Sequence, residues 1–229
     1  MSFPRFRPGS LLLTFAAGLA LSACAGGPDP EMGTTHMGAH YGQVDEIQEA
    51  VVAGDVEDTR RPARWVASHT GREFAEAAGP ALEQMRSEAR IMLEQTQILE
   101  IAHTLGRMGN ACGACHTALQ VKVPFTVDEP PASSTTPSDH MRRHAWAVDR
   151  LWEGLAGPSD ASWRAGAGAL VHMPVDFGNN DQANRLATRV HDLSDKAAAA
   201  TNARDRAQVY GELLETCALC HSALRMRMR

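Results

Sequence analysis

The sequence predicts an all-α protein built from two tandem four-helix bundles, and three observations support this class. Residues 36–122 and 140–229 lack the polar–apolar alternation of strands, and apolar residues recur there at helical spacing. The two stretches repeat each other. A segment rich in Pro, Ser and Thr, residues 123–139, separates them and has the composition of a linker. Each stretch has room for four helices of ordinary length, and short loops favour antiparallel neighbours.

The repeat is clearest at its two ends. The first unit begins with HMGAHYGQVDEIQEAV from His36, the second with HMRRHAWAVDRLWEGL from His140, and their identical residues align at an offset of 104. The units close with CGACHTAL and CALCHSAL, which align at an offset of 105. A repeat of this period indicates two similarly folded domains. We therefore predict helices at 36–53, 56–69, 80–94 and 97–121, and again at 140–156, 159–171, 180–199 and 202–224.

Residues 1–23 predict a lipoprotein signal peptide. Arg5 and Arg7 precede the apolar run LLLTFAAGLAL, which is shorter than a membrane span but typical of a signal peptide. The run leads into Leu-Ser-Ala-Cys, and Cys24 thereby resembles the lipid-modified cysteine of a bacterial lipobox. An ordinary cleavage site near Ala23 is the alternative. We expect an exported protein, anchored by lipid to the periplasmic face of a bacterial membrane, with residues 24–35 as a tether.

The charge balance is mildly acidic. The chain carries a formal net charge of −5, and removal of residues 1–23 takes away two arginines and no acid. The sequence has no basic cluster of the kind that binds nucleic acid, so we expect no such partner. The acidity favours solubility and is compatible with a basic redox partner.

Four of the five cysteines belong to two C-x-x-C-H motifs, the sequence signature of covalent haem attachment. On a helix, residues three and four positions apart share a face, so both cysteines of a motif can reach the two vinyl groups of one porphyrin. The following histidine can then ligate the iron. The motifs predict two covalently bound haem c groups, with thioethers at Cys112, Cys115, Cys217 and Cys220 and proximal iron ligands at His116 and His221.

Two other kinds of site use paired cysteines. A thioredoxin-like redox pair would sit in a βαβ context, which the helical pattern lacks. A zinc site could use the four thiolates, but it does not explain a histidine directly after each pair or the repeated His-Met-x-x-His upstream. With Cys24 lipidated and four cysteines bound to haem, no odd thiol remains in an exported protein.

A second ligand for each iron has to come from upstream, because each motif closes its repeat. The repeated His-Met-x-x-His supplies the candidates, one per haem: Met37 or His40 in the first unit, and Met141 or His144 in the second. Both residue types are ordinary axial ligands, and methionine raises the reduction potential. The alternative is that none of these residues binds iron. The methionines would then be core residues, and the histidines would cap the helix starts or contact solvent. We expect His69 to be a packing or surface residue.

The position of the motif resembles that of the class II c-type cytochromes, the cytochrome c′ family, in which it lies near the end of a bundle's fourth helix. Their motif is followed by an aromatic and a basic residue. Here Leu224 replaces the aromatic and Arg225 keeps the basic residue, whereas Leu119 and Gln120 of the first unit depart from both. The resemblance implies a distal residue early in the first helix. It is methionine in electron-transfer members and a non-ligating residue in gas-binding ones.

These features together predict an exported di-haem cytochrome that carries single electrons between periplasmic or membrane-bound redox proteins. In such a protein the iron performs the redox step, while the chain binds, orients and tunes the cofactor. We expect an electron carrier and not an enzyme. A gas-binding or gas-sensing protein with five-coordinate iron is the main alternative. Peroxidase-like activity stays open, although the sequence contains no defensible distal Arg–His arrangement.

Overall fold

The computed structural model describes residues 30–71, 74–132, 136–171 and 177–225. These residues form eight α-helices and no strand, which confirms the all-α class. The predicted signal peptide, residues 1–23, and the predicted lipidation site Cys24 lie outside the described residues. The helices are α1 (Pro30–Ala53), α2 (Arg60–Ser68), α3 (Ala75–Glu94), α4 (Ile98–Ala118), α5 (Pro137–Ala156), α6 (Asp160–Ala169), α7 (Asp181–Ala199) and α8 (Ala203–Ala223).

Most helix ends lie within four residues of their predicted positions, but α1 begins six residues early and α3 five residues early. Helix α1 begins at Pro30, so residues 30–35, predicted as part of the tether, are helical. Proline is well suited to a first helical position, where its missing N–H is not needed. Helix α3 begins at Ala75 and contains Pro80. Residues 137–139, predicted as the end of the linker, form the start of α5, because Pro137 suits a first helical position.

Side-chain caps fix the starts of the four helices in the second repeat. In each, a Thr, Ser or Asn side chain accepts a hydrogen bond from the backbone N–H three residues later, which satisfies a donor that the helix leaves unpaired. Such a cap stabilises a helix by about 1 kcal/mol. The capping residues are Thr136, Ser159, Asn180 and Asn202.

The helices of each repeat pack as chain neighbours, and the two repeats also pack against each other. Within the repeats, α1, α2, α3 and α4 contact in sequence, as do α5, α6, α7 and α8. Between the repeats, α4 packs extensively along α8, while α1 contacts α8 and α5 contacts α4. The buried apolar residues form one continuous cluster with members from both repeats. The repeats therefore share a core.

Two glycines allow α4 and α8 to approach closely. A Cβ on Gly106 would lie 2.3 Å from the carbonyl oxygen of Ala207, and one on Gly211 would lie 2.9 Å from the Cα of His103. Gly106 and Gly211 occupy equivalent positions in the two repeats, at an offset of 105. The crossing is therefore pseudo-symmetric, with each helix placing its glycine against the backbone of the other.

No helix in the described ranges is long and apolar enough to cross a membrane.

Candidate functional site

The first C-x-x-C-H motif and the first His-Met-x-x-His motif meet in one cavity of about 210 Å³. Helix α4 supplies Cys112, Cys115 and His116, and α1 supplies Met37 and His40. The remaining lining is mostly apolar and includes Val44, Leu82, Met85, Val121 and Phe125. The structure thus brings together all five residues that the sequence proposed for the first haem.

The second motif pair meets in a larger cavity of about 1000 Å³, at the upper end of the range for ligand pockets. Helix α8 supplies Cys217, Cys220 and His221, while α5 supplies His140, Met141 and His144. All five residues proposed for the second haem line this cavity, together with His140. The two cavities therefore have the same plan in the two repeats.

The two motif histidines make equivalent hydrogen bonds through Nδ1. His116 Nδ1 donates to the carbonyl oxygen of Ala156 at 2.8 Å, and His221 Nδ1 donates to that of Val52 at 3.0 Å. A carbonyl can only accept, so Nδ1 carries the proton in both rings. Burial lowers the pKa of His116, although its bond to Ala156 opposes the shift. In the neutral ring, Nε2 keeps its lone pair, and a metal-ligating histidine is usually held in this way.

Each motif histidine is held by the first helix of the other repeat. Ala156 ends α5, whereas His116 belongs to α4 of the first repeat; Val52 lies in α1, whereas His221 belongs to α8 of the second. Val52 and Ala156 are themselves equivalent, at an offset of 104. Each cavity is thus completed by residues from the opposite half of the chain, and the relation is reciprocal.

The cysteine thiols are protonated at neutral pH in both cavities. Burial raises the pKa of Cys112 and of Cys217 to about 12, and the neighbouring cysteine of each motif contributes to the shift. Burial also raises the pKa of Cys115 and Cys220. None of the four cysteines is in a disulfide. Redox-active and nucleophilic cysteines have lowered pKa values, so this environment suits uncharged sulfur, as in a thioether.

Met37 faces the Nε2 edge of the His116 imidazole in the first cavity. Its sulfur is 3.3 Å from His116 Nε2, the nitrogen that is available for a metal. The other candidate of the unit, His40, faces a different group: its ring lies 4.5 Å from that of His36 and 4.8 Å from that of His69, centroid to centroid. The geometry therefore favours Met37 over His40 as the residue opposite His116.

His144 occupies a buried position near the motif histidine of the second cavity. Burial lowers its pKa to about 3, with further lowering by His140, His191 and His221 among nearby charges. Its Nε2 is buried without a hydrogen-bond partner in the described part of the chain. Met141 is half-buried and lines the same cavity. Met141 and His144 both line the second cavity, so both are candidates for the position opposite His221.

Several imidazole nitrogens near the two cavities are buried without a hydrogen-bond partner among the described residues. Within the described ranges, no hydrogen bond reaches Nε2 of His40, Nε2 of His144 or either nitrogen of His140. Burial also lowers the pKa of His40 to about 3 and that of His140 to about 4, so these rings are neutral at pH 7. Unsatisfied buried polar atoms are rare in folded proteins and call for an explanation. The donor sets of both cavities fit a covalent haem with a nitrogen or sulfur ligand on its distal side.

Two contributions to these cavities were not predicted from the sequence. The first is the pair of carbonyls of Val52 and Ala156, which come from the opposite repeat. The second comes from residues 123–139, predicted as a linker alone, because Val123 and Phe125 line the first cavity. His69, predicted as a packing or surface residue, is half-buried and contacts the His36 ring, and it lines neither cavity. The repeat offset identifies Val52 and Ala156 as equivalent residues. It does not show that their carbonyl oxygens accept hydrogen bonds from the motif histidines.

Comparison with protein-family models, with curated proteins and with solved structures finds no match to the chain.

Proposed function

We propose that the protein is an exported di-haem c-type cytochrome that carries single electrons between redox partners. The observation that carries this proposal is the arrangement around each C-x-x-C-H histidine. Its Nδ1 donates to a fixed backbone carbonyl, and its Nε2 faces a cavity lined by both cysteines of its motif. Such a site is suited to covalent haem, which supplies one-electron iron chemistry when it is bound.

The protein's own residues would hold, orient and tune the two haems. His116 and His221 would supply the proximal nitrogens, and Met37 would cover the distal side of the first haem. Met141 or His144 would cover the distal side of the second. The mainly apolar lining of the first cavity would exclude water and favour a ligand of low net charge. A methionine ligand there would give the first haem a higher potential than a bis-histidine site.

Two interlocked four-helix bundles would bring the haems close enough to act as one unit. Helix α1 borders both cavities, because Val44 lines the first and its neighbour Asp45 lines the second. Helix α5 does the same, with Asp149 at the second cavity and Trp152 at the first. The cavities are therefore separated by little more than a helix, which supports electron exchange between the haems.

The optical spectrum of the purified holoprotein tests this function directly. We expect low-spin ferrous bands for both haems and little carbon monoxide uptake by the reduced protein. A methionine-to-iron charge-transfer band in the oxidised protein would identify sulfur ligation. High-spin bands with ready carbon monoxide binding at both haems would instead favour the gas-binding alternative, and haem-dependent peroxide turnover would favour an enzyme.

The proposal places the protein on the periplasmic face of a membrane, with Cys24 as its lipid anchor and periplasmic or membrane redox proteins as partners. Cys24→Ser should move the protein from the membrane fraction to the soluble exported fraction, because the acyl chains would be lost. The unmodified protein in the same fractionation is the control. Retention of the variant in the membrane fraction would remove the lipid assignment.

A further inference from the structure

The geometry points to a three-histidine metal site, formed by His36, His40 and His69, that takes one divalent transition-metal ion such as Zn²⁺. Each ring offers one nitrogen, and the three nitrogens lie within 4.8 Å of one another. In the described part of the chain, no other group of three or more such residues converges in this way. None of its three histidines belongs to a C-x-x-C-H motif, although His40 also borders the first cavity.

The backbone places these imidazoles together. His36 and His40 are four residues apart on α1, so they share one helix face. His69 directly follows α2 as its capping residue, and its backbone N–H donates a hydrogen bond to the carbonyl oxygen of Trp65. Two elements therefore supply the three ligands. A bound ion would tie the first half of α1 to the end of α2.

The spacing is close to what a small ion needs. Zinc–nitrogen bonds of about 2.0–2.1 Å and tetrahedral angles put ligand nitrogens about 3.3 Å apart. His36 Nδ1 and His69 Nε2 are already 3.1 Å apart. The widest pair is within 4.8 Å, so modest ring rotation of about 1.5 Å at the nitrogen would complete the set.

The surroundings hold two of the rings in place. The Trp65 indole stacks on the His69 ring, with centroids 4.2 Å apart and planes inclined by 18°. Gly71 leaves room for His36, because a Cβ there would lie 3.2 Å from His36 Cε1, and its φ of +49° also favours glycine. A ligand shell fixed by packing in this way is typical of metal sites.

The protonation states are compatible with metal binding. Neutral imidazole is the metal-binding form, and His40 is neutral at pH 7 because burial lowers its pKa. His36 Nδ1 and His69 Nε2 lie at hydrogen-bond distance, so one of the two nitrogens donates its proton to the other. On binding, that proton moves to the second nitrogen of the ring that carries it, and both facing lone pairs become ligands. A water molecule would supply a fourth ligand.

Zinc binding by the full-length holoprotein tests this site. After treatment with a chelator, the protein is titrated with ZnCl₂ at pH 7.5, and zinc and iron are counted in the same sample after gel filtration. We expect one zinc per chain, and we expect His69→Ala to weaken binding at least 100-fold. His191→Ala, which removes a histidine of the second repeat, should bind zinc like the unmodified protein.

His36→Ala provides a second variant, in case His69→Ala folds poorly, and it should also lose zinc while its iron content stays unchanged. Because iron is counted separately, a failure of the zinc site is distinguishable from a failure of the haem proposal. No retained zinc in the unmodified protein would overturn the inference. Equal loss of zinc from His191→Ala and His69→Ala, or undiminished binding by both His69→Ala and His36→Ala, would do the same.

Discussion

Met37 and His40 lie three positions apart on α1, but their side chains contact different groups. Met37 lies 3.3 Å from the available nitrogen of His116, whereas His40 packs among His36, His69 and Trp65. The sequence made both residues candidates because both recur in the second repeat. Periodicity alone places them on similar faces of α1, and only the packing of α1 against α2 and α4 distinguishes them.

Replacing Met37 by Ala should open the first haem to external ligands. Without the sulfur opposite His116, we expect the reduced variant to bind about one carbon monoxide per protein, half of its haem, with loss of any methionine charge-transfer band. Titration with carbon monoxide, followed by its optical spectrum, measures this. His40→Ala is the matched control and should bind little. Uptake by His40→Ala but not by Met37→Ala would reverse the assignment.

At the scale of helices, most ends and the packing of chain neighbours were predictable from the sequence, whereas the contacts between the repeats were not. Caps such as Asn180 and Asn202, and breaks such as Gly54 and Gly157, are local signals that mark where helices start and stop. The bond between His221 and Val52 joins residues 169 positions apart. Helical periodicity identifies an apolar face but not the helix that covers it, so the exchange of supporting helices between repeats had no sequence signal.

The crossing of α4 and α8 should be intolerant of any side chain at Gly106. In Gly106→Ala, the added methyl group would meet the backbone oxygen of Ala207, so one helix has to shift. We expect a loss of about 1–3 kcal/mol in the free energy of unfolding, the range for overpacked cores. Chemical denaturation of the holoprotein measures it.

Gly42→Ala is the control for this change, because a Cβ there meets nothing within 4 Å. Alanine is the better helix former, so this variant should be more stable by about 0.5–1 kcal/mol. If Gly106→Ala were as stable as Gly42→Ala, the close approach of α4 and α8 would be wrong.

The whole molecule contains buried neutral histidines whose folded pKa lies below the unfolded value. Burial lowers the pKa of His40 and His144 to about 3 and that of His140 to about 4. The unfolded chain therefore binds more protons between about pH 4 and 6.5, and stability is full above 6.5 and falls as the pH decreases. Each such histidine contributes a slope of about 1.4 kcal/mol per pH unit within this window.

Denaturation of the holoprotein at pH 7.5, 5.5 and 4.5 checks this dependence. We expect the free energy of unfolding to decrease steadily over that series, and His140→Gln to show a shallower decrease than the unmodified protein. His103→Ala, which removes a half-exposed histidine paired with Glu215, is the control for a change of histidine content. A stability that is flat from pH 7.5 to 4.5 would contradict the burial of these rings as neutral groups.

The proposed function depends on one property of the entire chain. Both C-x-x-C-H motifs, which the two repeats place in equivalent cavities, have to hold haem. The intact mass of the denatured, matured protein, produced in a host that attaches haem to exported proteins, tests it most directly. We expect the protein's mass to exceed that of the processed and lipidated polypeptide by two haem groups. A mass with one haem group or none, from a protein that is folded and exported, would contradict it.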